Sequence, residues 1–158
     1  MAYYLSEILL WLFIINVGTA FGAALYEARI VIPQWTAPAT NGFRWNPEAA
    51  RRADPDHKFW SFFAAVPLTF LTVASLVPAW YAMSPRRELW LGAAAVVLIE
   101  RIATFAYFTP TLLRLQRESA GLPVVETAAS RWVSLSHVRT GVYLAAWVTA
   151  LQALAYSR

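Results

Sequence analysis

The sequence of 158 residues contains no cysteine, only two histidines, and few charged residues, which make up 14% of the chain. The absence of cysteine excludes a disulfide scaffold and a cysteine-ligated metal or iron–sulfur centre. Hydrophobic residues make up 59% of the chain, which excludes a disordered protein, because disorder requires many charges and little apolar surface to bury. A chain of this length is predicted to form a single domain, residues 1–158.

Several catalytic and metal-binding motifs are also missing. The sequence has no Gly-rich phosphate loop, no Gly-x-Ser-x-Gly turn, no His-Glu-x-x-His pair and no Glu-x-x-His pair of the di-iron type. His57, His137 and a carboxylate could form a facial metal triad in principle, but nothing in their spacing favours one. We therefore predict no metal and no cofactor. A bound metal or haem is the alternative that the sequence leaves open.

Long apolar runs are what the sequence has in abundance. A helix needs roughly 20 apolar residues to cross the hydrocarbon core of a bilayer. Four stretches reach that length, residues 9–32, 59–83, 89–113 and 132–156. We therefore predict an all-α fold, an antiparallel up-down-up-down bundle of four transmembrane helices. We therefore expect a multi-pass integral membrane protein, located in a bacterial inner membrane.

The four spans define two sides of the membrane. Both termini and the turn 83–87 fall on side A, and the loops 33–58 and 114–131 fall on side B. More basic residues lie on side B, which favours a cytoplasmic side B. We expect the first loop to be long and ordered, with Asn46 capping a short helix that begins at Pro47.

Tryptophans near the ends of the spans predict an interfacial belt. The members of this belt are Trp35, Trp60 and Trp132 on side B, and Trp80 and Trp90 on side A. The basic residues also lie at the membrane edges, and they form no patch interleaved with aromatic residues. We therefore expect no nucleic-acid partner.

Charged side chains inside the spans are few, and they are expected to face the bundle interior because contact with lipid is costly. Helical spacing predicts one polar or small-residue face on each helix. These faces are Asn16, Ala20, Ala23 and Glu27; Ser61, Ala65, Leu68 and Thr72; Glu100, Thr104, Tyr107 and Thr111; and Ser134, His137, Gly141 and Gln152. We expect the four faces to turn inward and to form a polar cavity that opens toward side B.

Such a cavity would suit acid–base chemistry without a metal. A glutamate or histidine can act as a general base, and an arginine beside it can stabilise an enolate or phenolate. The predicted catalytic residues are Glu27, Glu100, His137 and Arg139, and the predicted substrate-binding residues are Arg101, Thr104, Tyr107, Trp132, Ser136 and His57. Arg139 could line the cavity edge or extend to the phosphates of side B. Structural ion pairs and packing contacts between helices are the alternative for the same residues.

Three segments of the sequence resemble a known family. They are Phe21-Gly-Ala-Ala-Leu-Tyr-Glu-Ala-Arg29, Glu100-Arg-x-x-Thr-Phe-x-Tyr-Phe-x-Pro-Thr111 and Trp132-x-x-x-Ser-His-Val-Arg139. In this order they resemble the DUF1772 family of small four-helix membrane proteins, some of which are anthrone oxygenases. Ser136 stands where that resemblance leads us to expect asparagine. The resemblance implies a four-helix membrane protein that oxygenates a lipophilic, anthrone-like molecule with O₂ and without a classical cofactor.

A non-enzymatic function is the alternative that the sequence leaves open. The chain could be a membrane subunit or carrier that binds a lipid, quinone or haem, or that braces a larger complex. The small size, the Gly18-x-x-x-Gly22 contact motif and the many aromatic residues favour this alternative. The expected partners are the lipid bilayer and a lipophilic small molecule, and a homo-oligomer or membrane complex stays open. A transporter has less support, because the sequence shows no inverted repeat.

Overall fold

The described part of the chain is mainly helical, which confirms the all-α prediction. The computed structural model describes residues 2–39, 42–52, 66–118 and 121–156. The helices are α1 (Ala2–Tyr26), α2 (Ile32–Trp35), α3 (Pro47–Arg52), α4 (Val66–Trp80), α5 (Arg86–Ala103), α6 (Thr109–Arg117) and α7 (Pro123–Ala155). Two π-helical segments, π1 (Glu27–Val31) and π2 (Thr104–Phe108), connect α1 to α2 and α5 to α6.

Two continuous helices of the described chain are long and apolar enough to cross a membrane. They run over Tyr4–Trp35 and Arg86–Arg117 and include the two π segments. Each extends beyond the predicted span, 9–32 and 89–113 respectively. In the second helix the extension over residues 114–117 is amphipathic, with Leu115 and Gln116 buried and Arg117 exposed. The predicted span ends earlier because it was defined by a continuous apolar run.

The helices in the second and fourth predicted spans have different limits from those expected. Helix α4 is apolar and ends at Trp80, three residues before the predicted end, and residues 59–65 of the predicted span lie outside the described residues. Helix α7 begins at Pro123, a residue that suits the first helical turn because that turn needs no N–H donor there. The expectation of a loop over 114–131 is therefore wrong for residues 114–117 and 123–131, which are helical.

The four longest helices pack as a ring. Helix α1 contacts α4 and α7, and α5 contacts the same two helices. One apolar cluster fills the interior between them, and it includes Leu10, Phe13, Val17, Trp90 and Val97. Gly18 allows close approach, because a Cβ atom at this position would lie 2.8 Å from Trp147 Nε1.

A short hairpin and a helix cover one end of this ring. Strands β1 (Thr36–Ala39) and β2 (Gly42–Trp45) pair antiparallel, and α3 follows. This hairpin was not predicted from the sequence. Asn46 Oδ1 accepts a hydrogen bond from the Ala49 N–H at 3.1 Å, as the predicted cap requires. Trp45 fixes the hairpin to the helices, because its Nε1–H donates to the Leu115 carbonyl at 3.1 Å and its backbone N–H donates to Glu126 Oε2 at 2.8 Å.

The predicted tryptophan belt is wrong for three of its members. Trp35, Trp90 and Trp132 are buried, whereas Trp80 is exposed and Trp60 lies outside the described residues. Trp35 and Trp132 pack with Trp45, with ring centroids 6.0 to 6.5 Å apart. Aromatic packing under the hairpin therefore takes these side chains away from the surface that an interfacial belt would occupy.

Candidate functional site

Five polar side chains on π1, α5 and α7 form two hydrogen-bonded groups, and Arg139 of one group lies one helical turn from Tyr143 of the other; together we call them the charged core. Its members are Glu27, Glu100, Arg101, Arg139 and Tyr143. Two carboxylates and two guanidiniums balance one another in charge, as a site away from water requires. Glu27 is the first residue of π1, and Arg101 lies shortly before π2. Single π turns within helices are frequently found at functional sites.

The Glu100 carboxylate has hydrogen bonds on both of its oxygens. The Thr104 hydroxyl donates to Oε1 at 2.6 Å, and Arg101 Nε donates to Oε2 at 2.7 Å. The Tyr143 hydroxyl, from α7, also donates to Oε2, and Arg101 Nη2 in turn donates to this hydroxyl. Glu100 and Arg101 are both buried. These contacts lock α5 to α7 and leave little of the carboxylate for a substrate.

The Glu27–Arg139 ion pair is less enclosed. Arg139 Nη2 donates to Glu27 Oε2 at 2.5 Å, and the two side chains are 12% and 23% exposed. Arg139 Nε is buried and has no hydrogen-bond partner among the described residues. The guanidinium lies 4.7 Å from the ring centroid of Phe108, in π2. Arg139 therefore faces α1, and it has a donor that a bound oxygen atom could use.

The expectation that His137 faces the interior is wrong, and so is the inward face predicted for the fourth helix. Ser134, His137, Gly141 and Gln152 are all exposed. The buried face of α7 is instead the one with Trp132, Ser136, Thr140 and Tyr143. The large rings of this second face fill the space against α1 and α5. His137 consequently lies away from the charged core.

The faces predicted for the other helices do turn inward where they are described. Ala20, Leu68, Thr72 and Glu100 are buried. Asn16, Ala23, Glu27, Thr104, Tyr107 and Thr111 are half-buried. Ser61 and Ala65, together with the predicted site residue His57, lie outside the described residues.

The remaining predicted substrate-binding residues satisfy one another or the backbone. Thr104 bonds Glu100, and Arg101 bonds Glu100 and Tyr143. Trp132 Nε1 donates to the Phe108 carbonyl at 3.1 Å, and the Ser136 hydroxyl donates to the Trp132 carbonyl at 2.9 Å.

Tyr107 stacks edge-to-face on Phe108, with ring centroids 5.4 Å apart.

Among the predicted site residues, Glu27, Glu100, Arg101 and Arg139 belong to the charged core. The described side chains of these four residues make direct ion pairs, and the polar cavity expected around them stays a prediction. Two described surface pockets lie at the end of α6 and beside the start of α5.

Tyr143 belongs to the charged core but is not among the predicted site residues. Its signal is present in the sequence, because it lies four residues after Arg139 and seven after Ser136, on the same helical face. Thr140 was also missed, and its hydroxyl donates to the Ala24 carbonyl at 3.4 Å. Among the described residues, no three histidine, aspartate or glutamate side chains are grouped so as to hold a metal ion.

Comparison with known proteins identifies no relative of this chain. No protein-family model matches the chain, and neither a curated protein nor a solved structure matches it. The resemblance to the anthrone oxygenase-like family therefore stays a prediction.

Proposed function

We propose that the protein is a four-span integral membrane protein with antiparallel helices. The order of contacts between α1 and α7 supports this topology. Gly18 lies against Trp147, Ala24 accepts a hydrogen bond from Thr140, and Glu27 pairs with Arg139. The residue numbers of these contacts increase along the first helix while they decrease along α7, as expected for antiparallel helices.

The outward faces of the long helices support insertion into a bilayer. Each of the four presents large apolar side chains to its surroundings. Examples are Ile8, Leu12 and Ile15; Phe70, Val73 and Val77; Ile99, Ile102 and Phe105; and Val138, Leu144 and Val148. Soluble monomers rarely expose apolar surface of such extent, whereas lipid tails cover it without cost. The proposed location is a bacterial inner membrane.

The proposed activity is oxygenation of a lipophilic, anthrone-like aromatic molecule by O₂. The Glu27–Arg139 pair is the observation that carries this proposal, because it combines a partly accessible carboxylate with a buried guanidinium N–H that lacks an acceptor. A substrate ketone oxygen can accept from Arg139 Nε, and Glu27 can take a proton from the adjacent ring system. Phe108 beside the guanidinium provides an apolar face for a flat substrate.

The reaction balances with O₂ as the only co-reactant. Glu27 removes one proton from the substrate methylene carbon, and Arg139 stabilises the enolate oxygen that results. The carbanion reduces O₂ and forms a C–O bond, and the peroxide anion takes the proton back from Glu27. Glu27 then takes the second methylene proton, the O–O bond breaks, and the hydroxide that leaves receives this proton from Glu27. The ring then carries a new carbonyl, and the second oxygen atom leaves as water.

Glu100 has a positioning function in this proposal. Its oxygens are occupied by Arg101, Thr104 and Tyr143, so it holds α5 and α7 in register around the Glu27–Arg139 pair. The same closed network favours a second candidate function, in which both ion pairs are structural and the protein braces a larger membrane complex. Glu27 is the base in the oxygenase, whereas in the bracing function it serves only as the ion-pair partner of Arg139.

Uptake of O₂ by the reconstituted protein tests the proposal. The full chain is placed in liposomes with anthrone, and uptake is compared for the wild type, Glu27→Gln and Glu118→Gln. Glu118 is a matched control, because it pairs with Arg114 on the surface at 3.0 Å. We expect Glu27→Gln to fall to the rate of empty liposomes, which measures autoxidation, and Glu118→Gln to keep the wild-type rate.

A wild-type protein that takes up no more O₂ than empty liposomes would contradict the oxygenase. Equal uptake by the wild type and Glu27→Gln would remove Glu27 as the base. Purification of the chain with a stoichiometric partner, together with absent uptake, would support the bracing function instead.

A further inference from the structure

A second polar group lies away from the charged core, at the start of α5. Arg86 is the first residue of this helix, and Trp90 follows one turn later. The Arg86 guanidinium lies 5.5 Å from the centroid of the Trp90 ring. Arg86 is only 9% exposed and Trp90 is fully buried. A cation and an indole N–H are thus held together away from solvent.

These side chains carry N–H donors that have no acceptor. Arg86 Nε and Nη2 and Trp90 Nε1 are buried without a hydrogen-bond partner among the described residues. No ion pair within the described chain includes Arg86. A buried donor without an acceptor is unfavourable, and a buried charge without a counter-ion is more so. The group therefore has the chemistry of an anion site.

We propose that Arg86 and Trp90 bind a phosphate group, and that an anionic phospholipid of the surrounding bilayer supplies it. A guanidinium offers parallel N–H groups that match the oxygens of a phosphate, and the indole N–H adds a further donor. Arg139 also has an unpaired donor, but it already has a carboxylate partner in Glu27. Arg86 is distinguished by its uncompensated charge.

The position of the site favours a lipid as the source of the phosphate. Tyr81 and Met83, in the turn before α5, are among the most exposed apolar side chains of the chain. This turn lies at the end of two apolar helices, where the headgroups of a bilayer would lie if the proposed membrane topology holds. A surface pocket of about 440 Å³ lies at this end of the ring, lined by Pro85, Glu88 and Leu89 around the start of α5 and by Gln152, Ala155 and Tyr156 at the end of α7.

Ligand-dependent unfolding of the full chain in a neutral detergent tests the site. Tryptophan fluorescence follows the unfolding, and the added probes are phosphatidylglycerol, diacylglycerol and inorganic phosphate. Diacylglycerol is the matched lipid without a phosphate. We expect phosphatidylglycerol to raise the wild-type unfolding temperature in a saturable manner and diacylglycerol to leave it unchanged.

Two substitutions assign the effect to the site. Arg86→Gln removes the charge, and we expect it to weaken phosphatidylglycerol binding about tenfold or more, because charge-assisted hydrogen bonds are lost. Arg87→Gln is the control, since Arg87 is an exposed neighbour in the same helical turn, and we expect wild-type binding. If Arg86→Gln does not fold, Trp90→Phe keeps an aromatic ring, removes one donor, and should weaken binding several-fold.

The outcomes distinguish three cases: a site for a lipid phosphate, a site for free phosphate, and no anion site. Stabilisation by inorganic phosphate equal to that by phosphatidylglycerol, and lost in Arg86→Gln, supports the anion site with a free ion as its ligand. Equal responses of the wild type, Arg86→Gln and Trp90→Phe to both probes would overturn the inference. The Glu27 chemistry is independent of it, so Arg86→Gln should still consume O₂ with anthrone in liposomes.

Discussion

Arg139 of α7 and Glu27 of π1 form an ion pair across 112 positions of sequence, with Nη2 and Oε2 2.5 Å apart. This pair connects the first and last long helices of the ring by charge as well as by apolar packing. It also places a carboxylate and a partly unsatisfied guanidinium at the same point between helices. The stability and the proposed chemistry of the protein therefore depend on the same two residues.

Removal of one member of this pair should destabilise the protein more than removal of both. Glu27→Gln leaves Arg139 buried without a counter-ion, which costs about 3–5 kcal/mol of unfolding free energy in a buried pair. Glu27→Gln with Arg139→Gln leaves no unpaired charge and should recover part of that loss. Reversible unfolding in mixed detergent micelles measures the unfolding free energy of Glu27→Gln, Arg139→Gln and the double variant. A loss in the double variant equal to the sum of the two single losses would contradict direct coupling.

Tyr143→Phe should weaken the Glu100 network without abolishing O₂ uptake. The substitution keeps the ring but removes the hydroxyl that joins Glu100 to Arg101. We expect a loss of about 1–3 kcal/mol in unfolding free energy, because buried polar groups lose a partner. The exposed Tyr156→Phe is the control and should be neutral. Loss of uptake in a folded Tyr143→Phe protein would instead make this hydroxyl part of the chemistry.

The two glycines of the Gly18-x-x-x-Gly22 motif should respond differently to alanine. A Cβ at Gly18 would lie 2.8 Å from Trp147 Nε1, whereas a Cβ at Gly22 meets no atom within 4 Å. We expect Gly18→Ala to lower the unfolding free energy by about 1–3 kcal/mol through overpacking. Gly22→Ala should be neutral or stabilising, since alanine favours the helix. Thermal unfolding of both variants checks this, and equal effects would contradict the close contact of α1 with α7.

A lysine on the outward face of α5 should impair membrane insertion. Ile99 is 67% exposed and lies within an apolar helix. Ile99→Lys should cost about 2.5–3.5 kcal/mol if this position contacts the centre of a bilayer. The control is Leu122→Lys, at an exposed position just before α7. Alkaline extraction of membranes measures the inserted fraction, and full insertion of Ile99→Lys, or its recovery as a soluble protein, would contradict a lipid-facing position.

The helices and much of their inward faces could be predicted from the sequence, because apolar length and helical spacing are local properties. Glu27 and Glu100 were expected inside and lie there. The short helix after Asn46 was expected for a similar reason, since capping depends on a few neighbouring residues.

The face of α7 could not be chosen by polarity, because this helix has two faces that both contain small and polar residues. The face with Trp132 and Tyr143 packs inward since its rings fill the space between helices. The hairpin under these rings depends on contacts across about 70 to 80 positions, such as Trp45 to Leu115 and Trp45 to Glu126. Such contacts leave no periodic signal in the sequence.

The most direct test of the central claim is the ratio of anthrone-dependent O₂ uptake in Glu27→Gln to that in the wild type, both reconstituted in liposomes and corrected for autoxidation. When the uptake of each variant is divided by its amount of folded protein, the proposed base chemistry predicts a ratio near zero for Glu27→Gln and near one for Glu118→Gln. A ratio near one for Glu27→Gln in an active wild-type background would contradict it.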